Sequence, residues 1–168
     1  MIWDSLKRVF RRKGVRDRVL VVEDDPVILA LIRNHLKAAG VVMNYVDSCD
    51  DALALATESP KEYSLLILET KVNGESGLEL ARQLRMARET SRIPILFLLD
   101  RGTEEGAARL KRTFAHTWVI AKPFSGMQFT EEVKTVLRTR VRRPSAKSSM
   151  RGKSPFPPPA RMRTREYD

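Results

Sequence analysis

Apolar residues fall along this chain in two alternating patterns. Short continuous runs, "RVLVVE" (18–23), "LLILE" (65–69) and "PILFLL" (94–99), break off at acids or turn residues. Such runs fit strands covered on both faces. "VVMNYV" (41–46) and "TWVIA" (117–121) read as two further strands, rich in β-branched and aromatic residues. Helical spacing fills the gaps. "PVILALIRNHLKAAG" (26–40) starts on Pro, carries Val27, Ile28, Leu31, Ile32 and Leu36 at amphipathic intervals, and stops on Gly40. Ser48, with Asp51 three residues on, resembles a capping box for a helix over 49–58. Further helices are expected over 77–88, 103–115 and 126–138. Five strand–helix alternations predict an α/β domain, a parallel sheet wound with helices on both faces.

The ends follow neither pattern. Residues 1–16 place Ile2, Trp3, Leu6, Val9 and Phe10 along one helical face beside Arg11, Arg12 and Lys13. Residues 139–168 are rich in Pro, Ser and Arg, with few core-forming side chains, and are expected to be disordered alone, with a polyproline-like piece at 157–159. The domain is therefore expected over 17–138. The net charge of +10 belongs to these arms. Residues 1–18 hold seven bases against two acids and residues 138–168 ten against two, which leaves the middle slightly acidic. One cysteine, Cys49, excludes an internal disulfide and suits a reducing compartment. No apolar run approaches the roughly 20 residues that span a bilayer. The chain is expected to be cytoplasmic, with peripheral contact at the inner membrane open to it. No Walker, GxSxG or HExxH motif points to an enzyme. His35, His116 and Cys49 have no catalytic partner at a telling spacing and read as structural.

In open α/β sheets ligands bind beyond the carboxyl ends of the strands. Here the first strand ends in Glu23, Asp24 and Asp25, the third in Glu69 and the fifth in Lys122-Pro123. Acids gathered there repel one another, and a hard divalent cation or a lysine relieves the repulsion. With "RVLVVEDDP", "LLILETKVNGESGLEL", "IPILFLL" and "VIAKPFS", residues 17–138 resemble the response-regulator receiver family. The resemblance implies a flavodoxin-like (βα)5 fold with strand order 2-1-3-4-5, which draws these strand ends into one crevice. It also implies a candidate Mg²⁺ site at Glu23, Asp24, Glu69 and the Lys71 carbonyl, a phosphoryl-contacting Lys122, and a cis bond from Lys122 to Pro123.

The departures carry the functional expectation. Glu69 stands where the family has the phosphate-accepting Asp, and Asn73 where Pro is usual. Leu99 replaces the phosphoryl-binding Ser or Thr, and Val119 the switch aromatic. Trp118 lies one residue too early and should face the other side of its strand. The site is therefore expected to be degenerate, with phosphorylation-independent signalling as an adaptor. A protein partner is expected on the face of the fourth helix, fifth strand and fifth helix, with Arg109, Lys111, Arg112, Trp118 and Phe129 as candidate contacts. Trp118 packed beneath the fourth helix is the alternative. The N-terminal segment suits an anionic membrane, the domain's own helices or a partner groove. The tail suits nucleic acid, lipid or protein. In outline it also resembles arginine-rich extensions that bind cyclic di-GMP, with Arg138, Arg140, Arg142, Arg143, Arg165 and Asp168 as candidate contacts. A cyclic di-GMP effector and a conventional regulator phosphorylated weakly on glutamate are the alternative functions.

Overall fold

The computed structural model describes residues 17–100 and 103–139. Five parallel strands form the main sheet: β1 (Arg18–Val22), β2 (Val42–Val46), β3 (Tyr63–Glu69), β6 (Ile95–Leu99) and β7 (Thr117–Ala121). Their order is β2-β1-β3-β6-β7, the flavodoxin-like arrangement that the resemblance implies. A two-stranded hairpin, β4 (Lys71–Val72) and β5 (Glu75–Ser76), rides above the end of β3. Helices α1 (Pro26–Ala38) and α5 (Gly126–Thr139) cover one face, and α2 (Cys49–Glu58), α3 (Gly77–Met86) and α4 (Glu104–Thr113) the other.

Period-2 alternation divides the core into two layers. Val19, Val21, Leu65, Ile67, Leu96 and Leu98 point toward α1 and α5. Leu20, Val22, Leu66, Leu68, Ile95 and Phe97 point toward α2, α3 and α4. Every residue of β3 is buried, as a central strand covered twice must be. Each fully buried Leu or Ile contributes roughly 1.5–3 kcal/mol over an exposed one.

The helix starts lie where polar side chains can cap them. The Asp25 carboxylate accepts from the Val27 and Ile28 N–H groups at 2.7 and 3.3 Å, with Pro26 in the first turn. Ser48 accepts from Asp51 N–H, Ser76 from Glu79 N–H and Thr103 from Gly106 N–H. Two helices end earlier than their patterns predict. α3 stops at Met86, where Ala87 turns extended, and α4 stops at Thr113, where Phe114 does. β3 begins two residues before the expected Leu65, because Tyr63 and Ser64 are buried and Tyr63 pairs with Arg18. His116 sits in the bend before β7 with φ of 53°.

Gly77 joins β3's end to α3 by close approach. Its N–H donates to the Thr70 carbonyl at 3.0 Å, and a Cβ there would overlap the Glu69 carbonyl oxygen. Gly77→Ala is expected to destabilise the fold by about 1–3 kcal/mol. Urea denaturation reads this directly, and an unchanged midpoint would show that α3 can slide away.

Candidate functional site

The carboxyl ends of β1, β3 and β7 do meet. Glu23 follows β1 and is fully buried. Its Oε1 accepts from the backbone N–H groups of Asp24 and Asp25 at 3.0 and 2.9 Å, and its Oε2 from Lys122 Nζ at 3.0 Å. Glu69, the last residue of β3, is also buried. Its Oε1 accepts from the N–H and hydroxyl of Thr70 at 2.8 and 3.0 Å, and its Oε2 forms an ion pair with Lys122. Lys122 thus holds its ammonium between two buried carboxylates. The backbone fixes it there: Lys122 N–H donates to the Leu99 carbonyl at 2.9 Å, and the bond to Pro123 is cis, as the resemblance implies.

The electrostatics follow from burial. Desolvation pushes the Glu23 carboxyl above its ordinary range, against the lowering effect of the Asp25 N–H and of Lys122. Burial alone would lower Lys122. Its hydrogen bonds to Glu69 and Glu23, and their charges, outweigh that and raise it. The result is a closed ionic triad with a cation supplied by the chain itself.

The four residues expected to hold Mg²⁺ do not form a cage. Asp24 turns toward the hairpin and accepts from Asn73 N–H at 2.8 Å. Lys71 lies exposed on β4. Glu23 and Glu69 share Lys122 instead. Among the described residues, no group of three or more His, Cys, Asp or Glu side chains is placed to hold a metal ion. In this arrangement Lys122 supplies the positive charge between the two buried glutamates.

Leu99 and Val119 pack as apolar neighbours against the core beneath α2, α3 and α4. Leu99 lies directly below Gly106 at the start of α4. Both positions therefore make aliphatic contacts. Trp118 faces the opposite way, packing half-buried against the α1 and α5 layer. That agrees with the strand alternation and corrects the alternative of Trp118 packed beneath the fourth helix.

The expected partner face is also smaller than its sequence reading. Arg109, Lys111 and Arg112 are exposed on α4. Phe129 is not: it is fully buried, stacked on Phe124 and edge-on to His35, because its position on α5 points at the sheet. Of the tail candidates only Arg138 is described, exposed near the end of α5. Arg140, Arg142, Arg143, Arg165 and Asp168, like residues 1–16, lie outside the described residues.

The role of the hairpin escaped the sequence reading, though its signal was present. Asn73-Gly74 between Val72 and Glu75 is a two-residue hairpin turn, with φ of 46° and 85°. It clamps two segments, the loop after β1 and the connection after β2. Asn73 N–H binds Asp24, its Nδ2 donates to the Asp47 carbonyl at 2.8 Å, and the Glu75 carboxylate accepts from Cys49 N–H at 2.9 Å. Asn73 supplies two donors of this clamp, its backbone N–H and its side-chain amide, neither of which a Pro there could offer.

Comparison with known proteins accords with this geometry. The family model of the response regulator receiver domain matches residues 19–134. The phosphate regulon transcriptional regulatory protein PhoB of Rhizobium meliloti is 38% identical over 122 residues, covering 72% of this chain and 52% of that protein. The chain spans about half the length of the curated relatives it matches. A crystal structure of a response regulator from Chloroflexus aurantiacus superposes with a TM-score of 0.65 at 24% identity, covering 73% of this chain and 98% of that one. The receiver domain of the Pseudomonas aeruginosa sensor histidine kinase PA1611, solved with magnesium in its active site cleft, gives 0.62 at 21% identity, covering 73% and 98%.

Proposed function

Because this chain belongs to the response regulator receiver family, we propose that it is a receiver held in one state, signalling as an adaptor without phosphorylation. Receiver domains generally act as signalling modules rather than enzymes, and they work through partner proteins. The observation that carries the proposal is the position of Lys122, bound at once to Glu23 and Glu69. An ammonium group fills the ground between the carboxylates where the family's cation chemistry is expected. Glu69 presents its carboxylate one methylene farther out than Asp, about 1.5 Å. Displacements of that size cost on the order of 10²-fold in rate. Leu99 provides no hydroxyl for a phosphoryl oxygen, and a hydrogen bond to a charged group is worth roughly 1.5–3 kcal/mol. Val119 has no ring to move. The acceptor, the phosphoryl ligand and the reporter all differ, in a site already closed by its own ion pairs.

Output then passes through surfaces. The exposed bases Arg109, Lys111 and Arg112 on α4 are the contacts proposed for a protein partner on the α4–β7–α5 side. Residues 1–16 and 139–168 act as basic arms that raise local attraction to acidic partners or anionic membrane. The test is incubation of the chain with acetyl phosphate and Mg²⁺, followed by intact-mass measurement. No increase of one phosphoryl group is expected. A stable adduct on Glu69 supports instead a conventional regulator with a glutamate acceptor.

A further inference from the structure

Asp17, which follows directly on residues 1–16, is pinned at the amino end of the sheet. Its carbonyl accepts from Val42 N–H at 3.0 Å and its carboxylate from the Ser64 hydroxyl at 2.7 Å. α1 and α5 start at the carboxyl ends of parallel strands and run back along the sheet, so both finish at this same end. Residues 1–16 therefore join the domain beside the ends of these two helices.

The outer sides of α1 and α5 form a valley. His35 sets the contact between them: its Nδ1 meets the Thr130 hydroxyl at 3.2 Å, its ring stands edge-on to Phe129, and a Cβ on Gly126 would overlap it. At about 100° per residue, Leu31 and Val27 follow His35 along the side of α1 that faces α5, and Lys134 and Met127 flank Thr130 on the outer side of α5. Val27 is 72% exposed and Met127 68%, while Leu31 is half-buried. Lys134 gives the valley a dry floor. Its side chain is only 6% exposed, although Glu131, which accepts from its Nζ at 2.6 Å, is 58% exposed. The aliphatic stem thus lies covered while the charge meets a carboxylate. Arg33 and Lys37 are exposed on the opposite flank of α1, so neither faces the valley.

The sequence of residues 1–16 carries a matching face. On a helix Ile2, Trp3, Leu6, Val9 and Phe10 fall within about 120° of one another, with Lys7, Arg8, Arg11 and Arg12 on the remaining sides. Gly14 ends that pattern. A helix over 2–13 is about 18 Å long, against about 21 Å for the 14 residues of α5. Residues 13–17 reach about 17 Å when extended, more than the roughly 10 Å thickness of a helix. The tail has no such face, because its apolar residues are scattered and interrupted by Pro144, Pro155 and Pro157.

We propose that residues 1–13 fold back as a helix into the α1–α5 valley of their own domain, laying Leu6, Val9 and Phe10 over Leu31, Thr130 and the stem of Lys134. A helix this short is marginal alone in water. Its tether to β1 holds it near the valley at an effective concentration on the order of millimolar. Docking hides Trp3 and Phe10 and turns Lys7, Arg8, Arg11 and Arg12 outward as a basic surface. It requires nothing of Lys122 or Glu69, so it stands apart from the locked-site reading.

The test uses the isotope-labelled full chain with Cys49→Ser and Ser5→Cys, a nitroxide attached at position 5, and NMR. Broadening is expected to centre on Leu31, Thr130, Lys134 and Leu137, and to persist on tenfold dilution because the contact lies within one chain. Leu6→Glu combined with Val9→Glu, both outside the folded domain, should abolish that pattern. In a Trp118→Phe chain Trp3 is the sole tryptophan. Its emission should lie to the blue of that of a free peptide of residues 1–16, and phosphatidylserine vesicles should leave it unchanged. The proposal is overturned if broadening is even over the surface or centred on other helices, if it fades on dilution, or if the double Glu variant keeps it. It is equally overturned if Trp3 emits like the free peptide or if vesicles shift it further to the blue.

Discussion

Replacing Lys122 with Met lowers the stability of the folded chain by about 3–5 kcal/mol near neutral pH, the cost of stranding buried charge without its partner. Glu23 and Glu69 would face each other with no cation between them, and their side chains are only 0% and 5% exposed. Water cannot take over a role that burial excludes it from. The pH dependence gives the effect a signature. Burial already raises the Glu23 carboxyl, and Lys122 is among the groups that pull it back down. A buried acid whose folded value is raised costs stability above that value, and the cost disappears below its unfolded value, 4.5 for Glu23. Removing Lys122 raises Glu23 further and enlarges the cost. The deficit of Lys122→Met should therefore shrink steadily as pH falls toward 4.5 and below. Guanidinium denaturation of both proteins across this range checks it. The exposed pair of Arg82 and Glu79 is the contrast, since solvent screens it. A deficit that does not vary with pH would place the role of Lys122 in packing rather than charge.

The locked-receiver proposal also predicts the outcome of a converse experiment. Glu69→Asp combined with Leu99→Thr withdraws the carboxylate by about 1.5 Å and places a hydroxyl at the end of β6. The expected outcome is at least a 10²-fold rise in phospho-adduct from acetyl phosphate and Mg²⁺ over the unaltered chain. Mass spectrometry of the intact protein measures it. The single Glu69→Asp variant lacks the hydroxyl at position 99, so it should gain less than the pair. Equal labelling of the unaltered chain and the double variant would remove the basis for a locked receiver.

The element order was legible in the sequence because each βα unit carries its own local signal. Apolar runs mark β1, β3 and β6, Pro26 marks the start of α1 and Ser48 that of α2. The ends of α3 and α4 were less legible. They are set by Ala87 and Phe114 turning extended, with Phe114 packing against Phe97 on the sheet, and helical spacing carries no trace of that contact. The hairpin was legible through Asn73-Gly74, but its function was not. Its bonds reach residues 26 and 49 positions away.

Side-chain direction separates the two kinds of knowledge most clearly. Alternation along β7 places Val119 and Trp118 on opposite faces, and that much follows from a period of two. Phe129 shows the limit: its type suits a binding surface as well as a core, and only the packing of α5 on the sheet made it core. The sequence by itself determined which groups stand at the strand ends: Glu23, Glu69, Leu99 and Lys122. Only the tertiary structure decided that Lys122 binds both glutamates while Asp24 turns to Asn73. Residue identity fixes which groups can interact; the distances that select among those interactions arise when strands far apart in the chain become neighbours.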